Sequence, residues 1–390
     1  MSFEVPESVR PLREAVHAFM TERVEPAEDA LHAGDEALLR DLQREAKAAG
    51  LWALGHPKEL GGGGLPFLDY VYVNEVQGRS EFGQLALGTF TLQDSLMLDR
   101  YAAPAQRERF LEPLVRGDIY PSFAMTEPGL SSSDPTQLTT SATLEDGHWV
   151  IRGRKWFTTL ADRAAYTTVM CRTETGASPY RSFSMILVPT DTPGYQIIRE
   201  TPVLGLNGGH CEVVYDEVRV PEENLLGPRG QGFVIAQERL GPGRIFHCMR
   251  WLGQAQRAFD LMCARLHDRE AFGGSLATKQ LLQQHVFDSL QEIQAARLLT
   301  LNAAHAIDAG GQARVEIGVI KVAGARMLHN VIDRAIQVHG AEGLTGDTPL
   351  DRMYRHARAG RIYDGPDEVH ITRTAQRVLD VYAKGGTWSF

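Results

Sequence analysis

Hydrophobic positions along the chain follow two different periods, and the period changes twice. Over the first 120 residues, apolar side chains recur every three or four positions, the spacing of one helix face. From about residue 121 to 230 they form short runs rich in β-branched and aromatic residues, separated by glycine and proline turns. From 231 to 390 long helical stripes return. The pattern predicts an α+β protein with a helical N-terminal domain (1–120), a middle β-domain (121–230) and a C-terminal helix bundle (231–390).

Individual elements follow from these periods. The predicted helices of the first domain include Tyr70–Arg79, Leu92–Tyr101 and Phe110–Val115. The predicted strands are Ser141–Leu144, His148–Arg152, Tyr166–Cys171, Phe183–Val188 and Val213–Val220. Asp146-Gly147, between the first two strands, is a strong hairpin signal. Gly61–Gly64 follow no strand and precede no Lys-Ser/Thr pair, which favours a turn over a phosphate-binding loop.

The stretch from Phe123 to Thr159 is the candidate seat of a cofactor. Its front half gathers small hydroxyl side chains around Pro128-Gly129, a composition typical of backbone that approaches a planar, polar ligand closely. Its back half ends in Trp156-Phe157 beside two threonines, so an aromatic ring can cover a ring system while a hydroxyl bonds its edge. The same residues also fit a surface loop and an ordinary hairpin with core aromatics, and composition leaves both interpretations open.

The residue order in this stretch resembles the flavin-binding signature of the acyl-CoA dehydrogenases. It reads F-A-M-T-E-P-G, then two serines, then G-x-K-x-aromatic-x-Thr. The resemblance implies that the first half binds the flavin pyrimidine edge and pyrophosphate, and that the aromatic-x-Thr element lies against the isoalloxazine. The matching residues are Phe123, Thr126, Ser132, Phe157 and Thr159. Most members have Gly-Ser-Asp where this chain has Ser131-Ser132-Ser133-Asp134, so which serine faces the cofactor stays open.

Two C-terminal motifs extend the resemblance to the rest of the cofactor. Arg269, in R-E-A-F-G, and the later Gln280 match a family pattern in which a guanidinium binds the pyrophosphate. Read without the family, Arg269 is a solvated helix charge. Gln337 and Gly340 lie in a turn similar to one that receives the adenylate half of a flavin from a neighbouring subunit, although Ala341 replaces one family glycine. The resemblance also assigns Glu368 to the cofactor.

The segment Arg361–His370 carries the predicted reaction. Tyr363 and Asp364 match the family's Y-E-G-T, whose Glu removes the α-proton of an acyl thioester, and the resemblance therefore makes Asp364 the base. A carboxylate is an effective base only in a site dry enough to raise its basicity and supplied with donors for the developing enolate. By composition alone the segment is an acidic turn in which Asp367 or Glu368 caps the next helix.

A second location for the base exists in some relatives, as a Glu on the long helix that precedes a matching Arg. In this chain Gly243 stands before Arg244. That alternative base is therefore absent, and Arg244 is interpreted as orienting Asp364 and the thioester.

Composition and charge agree with this interpretation. With Lys+Arg 40 against Asp+Glu 49, the net charge of −9 disfavours a nucleic-acid partner. No apolar run is long enough to span a membrane and no signal-like start is present, so we expect a cytoplasmic protein. The four cysteines show no C-x-x-C pairing, which predicts free thiols. His329 and His339 have no third ligand at a recognisable spacing, and no metal is predicted.

The resemblance implies an acyl-CoA dehydrogenase-like fold and a complete reaction. It predicts an FAD-dependent dehydrogenase that converts an acyl-CoA to the trans-2-enoyl-CoA, with an electron-transfer flavoprotein as oxidant. It also implies a homotetramer built as a pair of dimers. Two alternatives stay open at this point: a nitroalkane-oxidase-like flavoenzyme, which would also use an Asp base, and a non-catalytic acyl-CoA-binding protein of the same fold.

Overall fold

Helices occupy both ends of the chain, where apolar residues recur at helical spacing. The computed structural model describes residues 4–388. Its α-helices, in chain order, are α1 (Arg10–Phe19), α2 (Glu28–His32), α3 (Glu36–Ala48), α4 (Phe67–Gln77), α5 (Gly83–Ala86), α6 (Leu92–Tyr101), α7 (Pro104–Gln106), α8 (Glu112–Arg116), α9 (Gly232–Asp268), α10 (Gln280–Asp308), α11 (Arg314–His339), α12 (Leu350–Ala359) and α13 (Asp367–Ala383). A π-helical segment (Met20–Val24) continues α1, and another (Arg107–Leu111) precedes α8.

The middle of the chain folds into a β-sheet. Its strands are β1 (Pro121–Ala124), β2 (Ser141–Glu145), β3 (His148–Thr159), β4 (Tyr166–Arg172), β5 (Phe183–Pro189), β6 (Tyr195–Glu200), β7 (His210–Pro221) and β8 (Leu225–Leu226). The order across the sheet is β6-β7-β3-β2-β4-β5-β8, and β1 pairs in parallel with β4. Apolar side chains such as Trp149, Ile151 and Val213 are buried together on the sheet. A separate short hairpin joins β9 (Glu270–Ala271) to β10 (Gly274–Ser275).

These elements form two compact units. The first unit comprises the chain up to Gly55, Leu65–Leu87, and the chain from Pro242 onward. The second unit comprises His56–Gly64 and Gly88–Gly241. The three predicted domains are consecutive stretches of the sequence, whereas each compact unit is built from segments that are distant in the sequence. The boundaries at residues 120 and 230 stay predictions.

The structure contains the predicted helices and strands with small shifts of their first and last residues, and it confirms the predicted β-hairpin. Asp146 and Gly147 both have positive φ, +50° and +74°, the geometry of a tight two-residue turn whose twist matches the flanking strands. Helix α6 has the predicted bounds Leu92–Tyr101. Strand β3 continues past the predicted Arg152 to Thr159, because it pairs along this length with β7.

Three local predictions differ from the structure. Phe110–Val115, predicted as one helix, begins in a π-helical turn and becomes α-helical only at Glu112. Strand β6 (Tyr195–Glu200) was not predicted; as an exposed edge strand it buries too few residues to give an alternating pattern. Strand β1 was not predicted, because four residues are too few to be recognised as a strand without their partner β4; its last two residues, Phe123 and Ala124, lie in the predicted cofactor stretch.

Two glycines explain the close packing of α4 against α9 in the first unit. A Cβ atom at Gly78 would collide with the backbone of Arg250, and one at Gly253 with the backbone of Glu75. Asn74 Nδ2 donates to Phe246 O at 2.9 Å in the same contact. Only glycine allows the two backbones to approach this closely.

All four cysteines are free thiols, with Cys171, Cys211 and Cys248 buried. Within residues 4–388, no helix combines the length and the hydropathy that a membrane crossing requires. Over the same described residues, no group of three or more His, Cys, Asp and Glu side chains has an arrangement that could hold a metal ion.

Candidate active site

The loop after β1 is tied to β3 by reciprocal bonds between two residues. Thr126 Oγ1 donates to Trp156 O at 2.7 Å, and Trp156 N donates to Thr126 O at 3.1 Å. The hydroxyl proton of Thr126 is therefore used inside the protein, while its oxygen keeps lone pairs that can accept a further bond. The loop also lies beside Phe123, whose ring is covered by the guanidinium of Arg239 at 4.4 Å.

A buried ion pair holds this loop in shape. Lys155 Nζ lies 2.9 Å from Glu127 Oε1 and also donates to Met125 O at 2.8 Å, and both charged side chains are almost completely buried. The Glu127 carboxylate accepts further bonds from Thr139 and Thr140. Burial opposes the charge of Glu127, but Lys155 and these donors outweigh it and lower the pKa of Glu127 to about 2. The Glu and Lys of the flavin-binding signature thus have a structural role.

The three serines of the loop differ in their surroundings. Ser132 Oγ is half-buried and accepts from Glu127 N at 3.0 Å. Ser131 and Ser133 are exposed, and their hydroxyl oxygens lie 3.0 Å apart. The loop backbone thus depends on Ser132, and its assignment to the cofactor stays a prediction.

Phe157 is held in a strained and exposed conformation. Its φ is +50°, a value that a bulky residue rarely adopts, and 44% of its surface is exposed. The strain coincides with a register shift between Lys155 and Thr158 where β3 pairs with β7. Thr159 Oγ1 lies 3.0 Å from His210 Nδ1, and the His210 ring packs 5.9 Å from that of Phe157. An exposed ring beside hydroxyl and imidazole groups fits a flat ligand with a hydrogen-bonding edge.

Asp364 lies at the tip of a tightly held turn, the Asp364 turn (residues 360–366), in the first unit. Its own φ is +55°, a region that Asp tolerates better than most residues. Its carbonyl oxygen accepts from Arg244 Nε at 3.0 Å and lies 3.1 Å from His370 Nε2. Burial lowers the pKa of His370 to about 4, so the ring is neutral and donates from Nε2 to this carbonyl.

Lys321, from α11, closes the same turn. Its buried ammonium donates to Gly360 O at 2.7 Å and to Gly365 O at 3.2 Å. Gly365 has φ +99°, and a Cβ atom there would lie 2.8 Å from His370 Nε2. The backbone that carries the Asp364 side chain is therefore fixed by donors from α9, α11 and α13.

The Asp364 carboxylate faces α9. His247 Nε2 lies 2.9 Å from Asp364 Oδ2, and each side chain is about four-fifths buried. The His247 ring packs between aromatic neighbours, 6.0 Å from Trp251 and 5.1 Å from Tyr363. Trp251 Nε1 donates to Tyr363 Oη at 2.9 Å, which holds the Tyr363 ring beside His247. This is the shielded setting that a carboxylate base requires.

The other predicted cofactor residues of the first unit lie at the surface. Arg269 is exposed directly after α9, and Gln280 is exposed as the first residue of α10. Gln337 is exposed near the end of α11, and Gly340, which follows that helix, has φ +66°. Glu368 is exposed in the first turn of α13. These positions are open to a large ligand, and their cofactor roles stay predictions.

The capping role considered for the acidic segment is wrong. Pro366 occupies the N-cap of α13, and no side chain caps it. Asp367 is instead buried and accepts from Arg361 at 2.9 Å and from Arg326 at 3.4 Å. It is therefore a structural anion.

His247, Lys321 and His370 surround Asp364 but were not found from the sequence. Arg244, His247 and Trp251 are spaced by three and four residues, so a helical reading of α9 places them on one face. This spacing was the available signal. The sequence contains no comparable signal for Lys321, because its hydrogen-bond partners are backbone carbonyls of a turn that is distant in sequence.

The chain has helical, β and helical regions in that order, a loop of the flavin-binding type and a buried carboxylate. This combination is typical of one class of protein, the flavin-dependent oxidoreductases. Comparison with known protein families identifies the family within this class. Residues 6–118 match the model for the acyl-CoA dehydrogenase N-terminal domain, 122–218 that for the middle domain and 230–379 that for the C-terminal domain. The chain belongs to the acyl-CoA dehydrogenase family, whose members are oxidoreductases and flavoproteins.

Individual relatives agree with this assignment. The chain is 43% identical to Probable acyl-CoA dehydrogenase FadE2 of Mycobacterium tuberculosis, over 97% of each chain. It is 40% identical to acyl-CoA dehydrogenase family member 11 of Rattus norvegicus over 95% of this chain, but it spans only 50% of that longer relative. A solved structure of a Mycobacterium abscessus protein assigned as an acyl-CoA dehydrogenase superposes with a TM-score of 0.92 at 38% identity, covering 97% of this chain and 100% of that one.

Proposed function

We propose that this protein dehydrogenates an acyl-CoA thioester between its α and β carbons, with Asp364 as the base. The observation that carries the proposal is the Asp364 turn: a carboxylate at the family position of the base, shielded by aromatic side chains and held by Arg244 through its own carbonyl. Asp364 takes the α-proton, the β-hydrogen leaves as hydride, and the electron pair of the broken α C–H bond forms the trans-2 double bond.

FAD is the cofactor that fits these residues. It supplies a hydride acceptor at N5 when bound. The strained, exposed Phe157 ring and the Thr159–His210 pair support a flat ligand with a polar edge in the second unit. The proposed FAD-binding residues are Phe123, Thr126, Ser132, Phe157, Thr159, Arg269, Gln280, Gln337, Gly340 and Glu368. Oxidation of the reduced cofactor requires an electron acceptor, which we propose is an electron-transfer flavoprotein.

One experiment tests the reaction and separates it from its rivals. The purified protein, loaded with FAD, is mixed anaerobically with acyl-CoAs from short to long and branched, and the flavin absorbance is followed. Bleaching by at least one acyl-CoA, with formation of the enoyl-CoA, is expected. Bleaching by nitroalkanes alone would identify a nitroalkane-oxidase-like enzyme, and failure to bind flavin would indicate a non-catalytic acyl-CoA-binding protein.

Arg269→Ala is expected to weaken FAD retention roughly 10- to 150-fold. The variant loses a charge-assisted contact to pyrophosphate worth about 1.5–3 kcal/mol. The fold should survive, because Arg269 is exposed. Equilibrium dialysis of the parent and the variant against FAD measures the effect. Arg40→Ala, which removes an exposed arginine from α3, is the matched control. Equal FAD affinity in the parent and both variants would make Arg269 a solvated charge.

We expect a homotetramer built as a pair of dimers. The proposal is supported by large apolar side chains exposed on α10, among them Leu281 at 78% and Phe287 at 63%, and by Phe272 at 98% in the β9–β10 hairpin. Sedimentation equilibrium of the FAD-loaded protein measures the mass. A monomer that keeps its full complement of FAD would contradict both the tetramer and a flavin contact across subunits.

A further inference from the structure

We propose that His247 is a positioning residue for Asp364, which it holds through an Nε2–H donor. The role of His247 in catalysis rests on the proposed function. The tautomer of His247 and its contact with Asp364 do not depend on that function. The pair lies 2.9 Å apart, between Nε2 on α9 and Oδ2 on the Asp364 turn, an ion-pair distance whose angle falls outside the range of a well-formed hydrogen bond, so a small rotation of either side chain completes the bond.

The neighbour of the other ring nitrogen decides the tautomer. Arg250 Nη2 lies 2.7 Å from His247 Nδ1. A guanidinium can only donate hydrogen bonds, so Nδ1 must be the acceptor and carries no proton. In a neutral imidazole the proton is then on Nε2, the nitrogen that faces Asp364. Burial, and next the charge of Arg250, lower the pKa of His247, which keeps the ring neutral.

A neutral donor suits a base better than a cation would. An N–H directed at the carboxylate favours its ionised form and restricts its rotation, whereas a histidinium could transfer a proton to it and quench it. The restriction matters here because Asp is one methylene shorter than the Glu usual in this family. The ring is itself confined by Trp251 and Tyr363. Thus Arg250 fixes the tautomer of His247, and His247 fixes the carboxylate.

Other charged and titratable groups also face the carboxylate, and all are retained in the test. They are Arg244 and Arg250 of α9, Lys321 of α11, Tyr363 of the Asp364 turn and His370 of α13. Lys321 and Arg244 bond the backbone of the turn. His247 is distinct because its contact is to the side chain.

The kinetic test compares two substitutions in the FAD-loaded protein. His247→Phe keeps a flat ring but removes the donor, and His247→Gln returns an N–H near the position of Nε2. We expect His247→Phe to slow anaerobic flavin reduction by an acyl-CoA roughly 10- to 100-fold, and to move the acid limb of its pH profile upward by roughly one unit. Acyl-CoA affinity should change little. His247→Gln should recover most of the rate and the original pH profile, and the exposed-histidine control His148→Phe should match the parent.

A second measurement separates this proposal from the proposed function. Nuclear magnetic resonance of protein containing isotope-labelled histidine reports the tautomer of His247, assigned by its loss in His247→Phe. We expect a neutral Nε2–H ring between about pH 6 and 8, with a signal that shifts on Asp364→Asn. If no acyl-CoA reduces the parent, the proposed function fails and this spectrum alone decides the His247 assignment. A proton on Nδ1, or His247→Phe with parental rate and pH profile, overturns the proposal.

Discussion

Asp364→Asn is expected to reduce the rate of flavin reduction by an acyl-CoA at least 100-fold. A general base contributes about 10²–10⁴-fold to a proton transfer. Asparagine keeps the size of the side chain and can still accept from His247, but it has no basicity. The protein should stay folded, yellow and able to bind acyl-CoA, because Arg244, His370 and Lys321 hold the turn by its backbone. Anaerobic stopped-flow absorbance measures the rate, and calorimetry measures acyl-CoA binding.

Two further variants make this result specific. Asp380→Asn removes an exposed aspartate from α13 and should behave as the parent does. Asp364→Glu restores the residue usual in the family and should retain partial activity, limited by crowding against His247. A parental rate in Asp364→Asn would place the base elsewhere. Glu368 would then be tested next, and Asp367 after it, since its two arginine partners mark it as structural.

Lys155→Met is expected to destabilise the second unit by about 3–5 kcal/mol, because it leaves a buried carboxylate without its counter-ion. The loss should also weaken FAD retention, since Lys155 holds Met125 O and Glu127 in the loop after β1. Urea unfolding followed by tryptophan fluorescence measures the stability, as Trp149 and Trp156 both lie in this unit. Arg163→Met, which removes an exposed arginine, is the control.

The double variant Glu127→Gln/Lys155→Met isolates the ion pair. It removes both charges, so it should be more stable than the sum of the two single losses predicts. Additive losses would mean that the pair has no coupling energy. In that case the signature lysine would stabilise the loop only through Met125 O.

The pH dependence of stability gives an independent check on the same pair. The folded pKa of Glu127 is about 2, below its ordinary value of 4.5, so its contribution is complete above about pH 4.5 and is lost as the pH falls toward 2. Without Lys155 the folded pKa should rise. Acid unfolding of Lys155→Met should therefore begin at a higher pH than that of the parent, beyond the difference already present at neutral pH.

Local patterns in the sequence were sufficient to predict a helix, strand or turn wherever its conformation depends only on its own residues. The α6 bounds and the hairpin at Asp146-Gly147 were predicted because helical spacing and turn geometry are properties of a few adjacent positions. Strand β6 was missed because an exposed edge strand is specified by its partner and not by its own alternation. The π-helical turn before α8 was missed for a similar reason, since a one-residue change of helical period leaves little trace in an apolar pattern.

The sequence by itself determined the chemistry available to this protein: the order of motifs, the choice of Asp at position 364, and the arginine three residues before a histidine on α9. Tertiary structure alone decided what those groups contact. It showed that Arg244 bonds the carbonyl of Asp364 while His247 faces its carboxylate, and that the signature Glu and Lys pair with each other. The reason is physical. Burial and pairing of charges depend on segments that are far apart in the sequence, by 28 residues for Glu127 and Lys155 and by 120 for Arg244 and Asp364, and no local pattern records which of them meet.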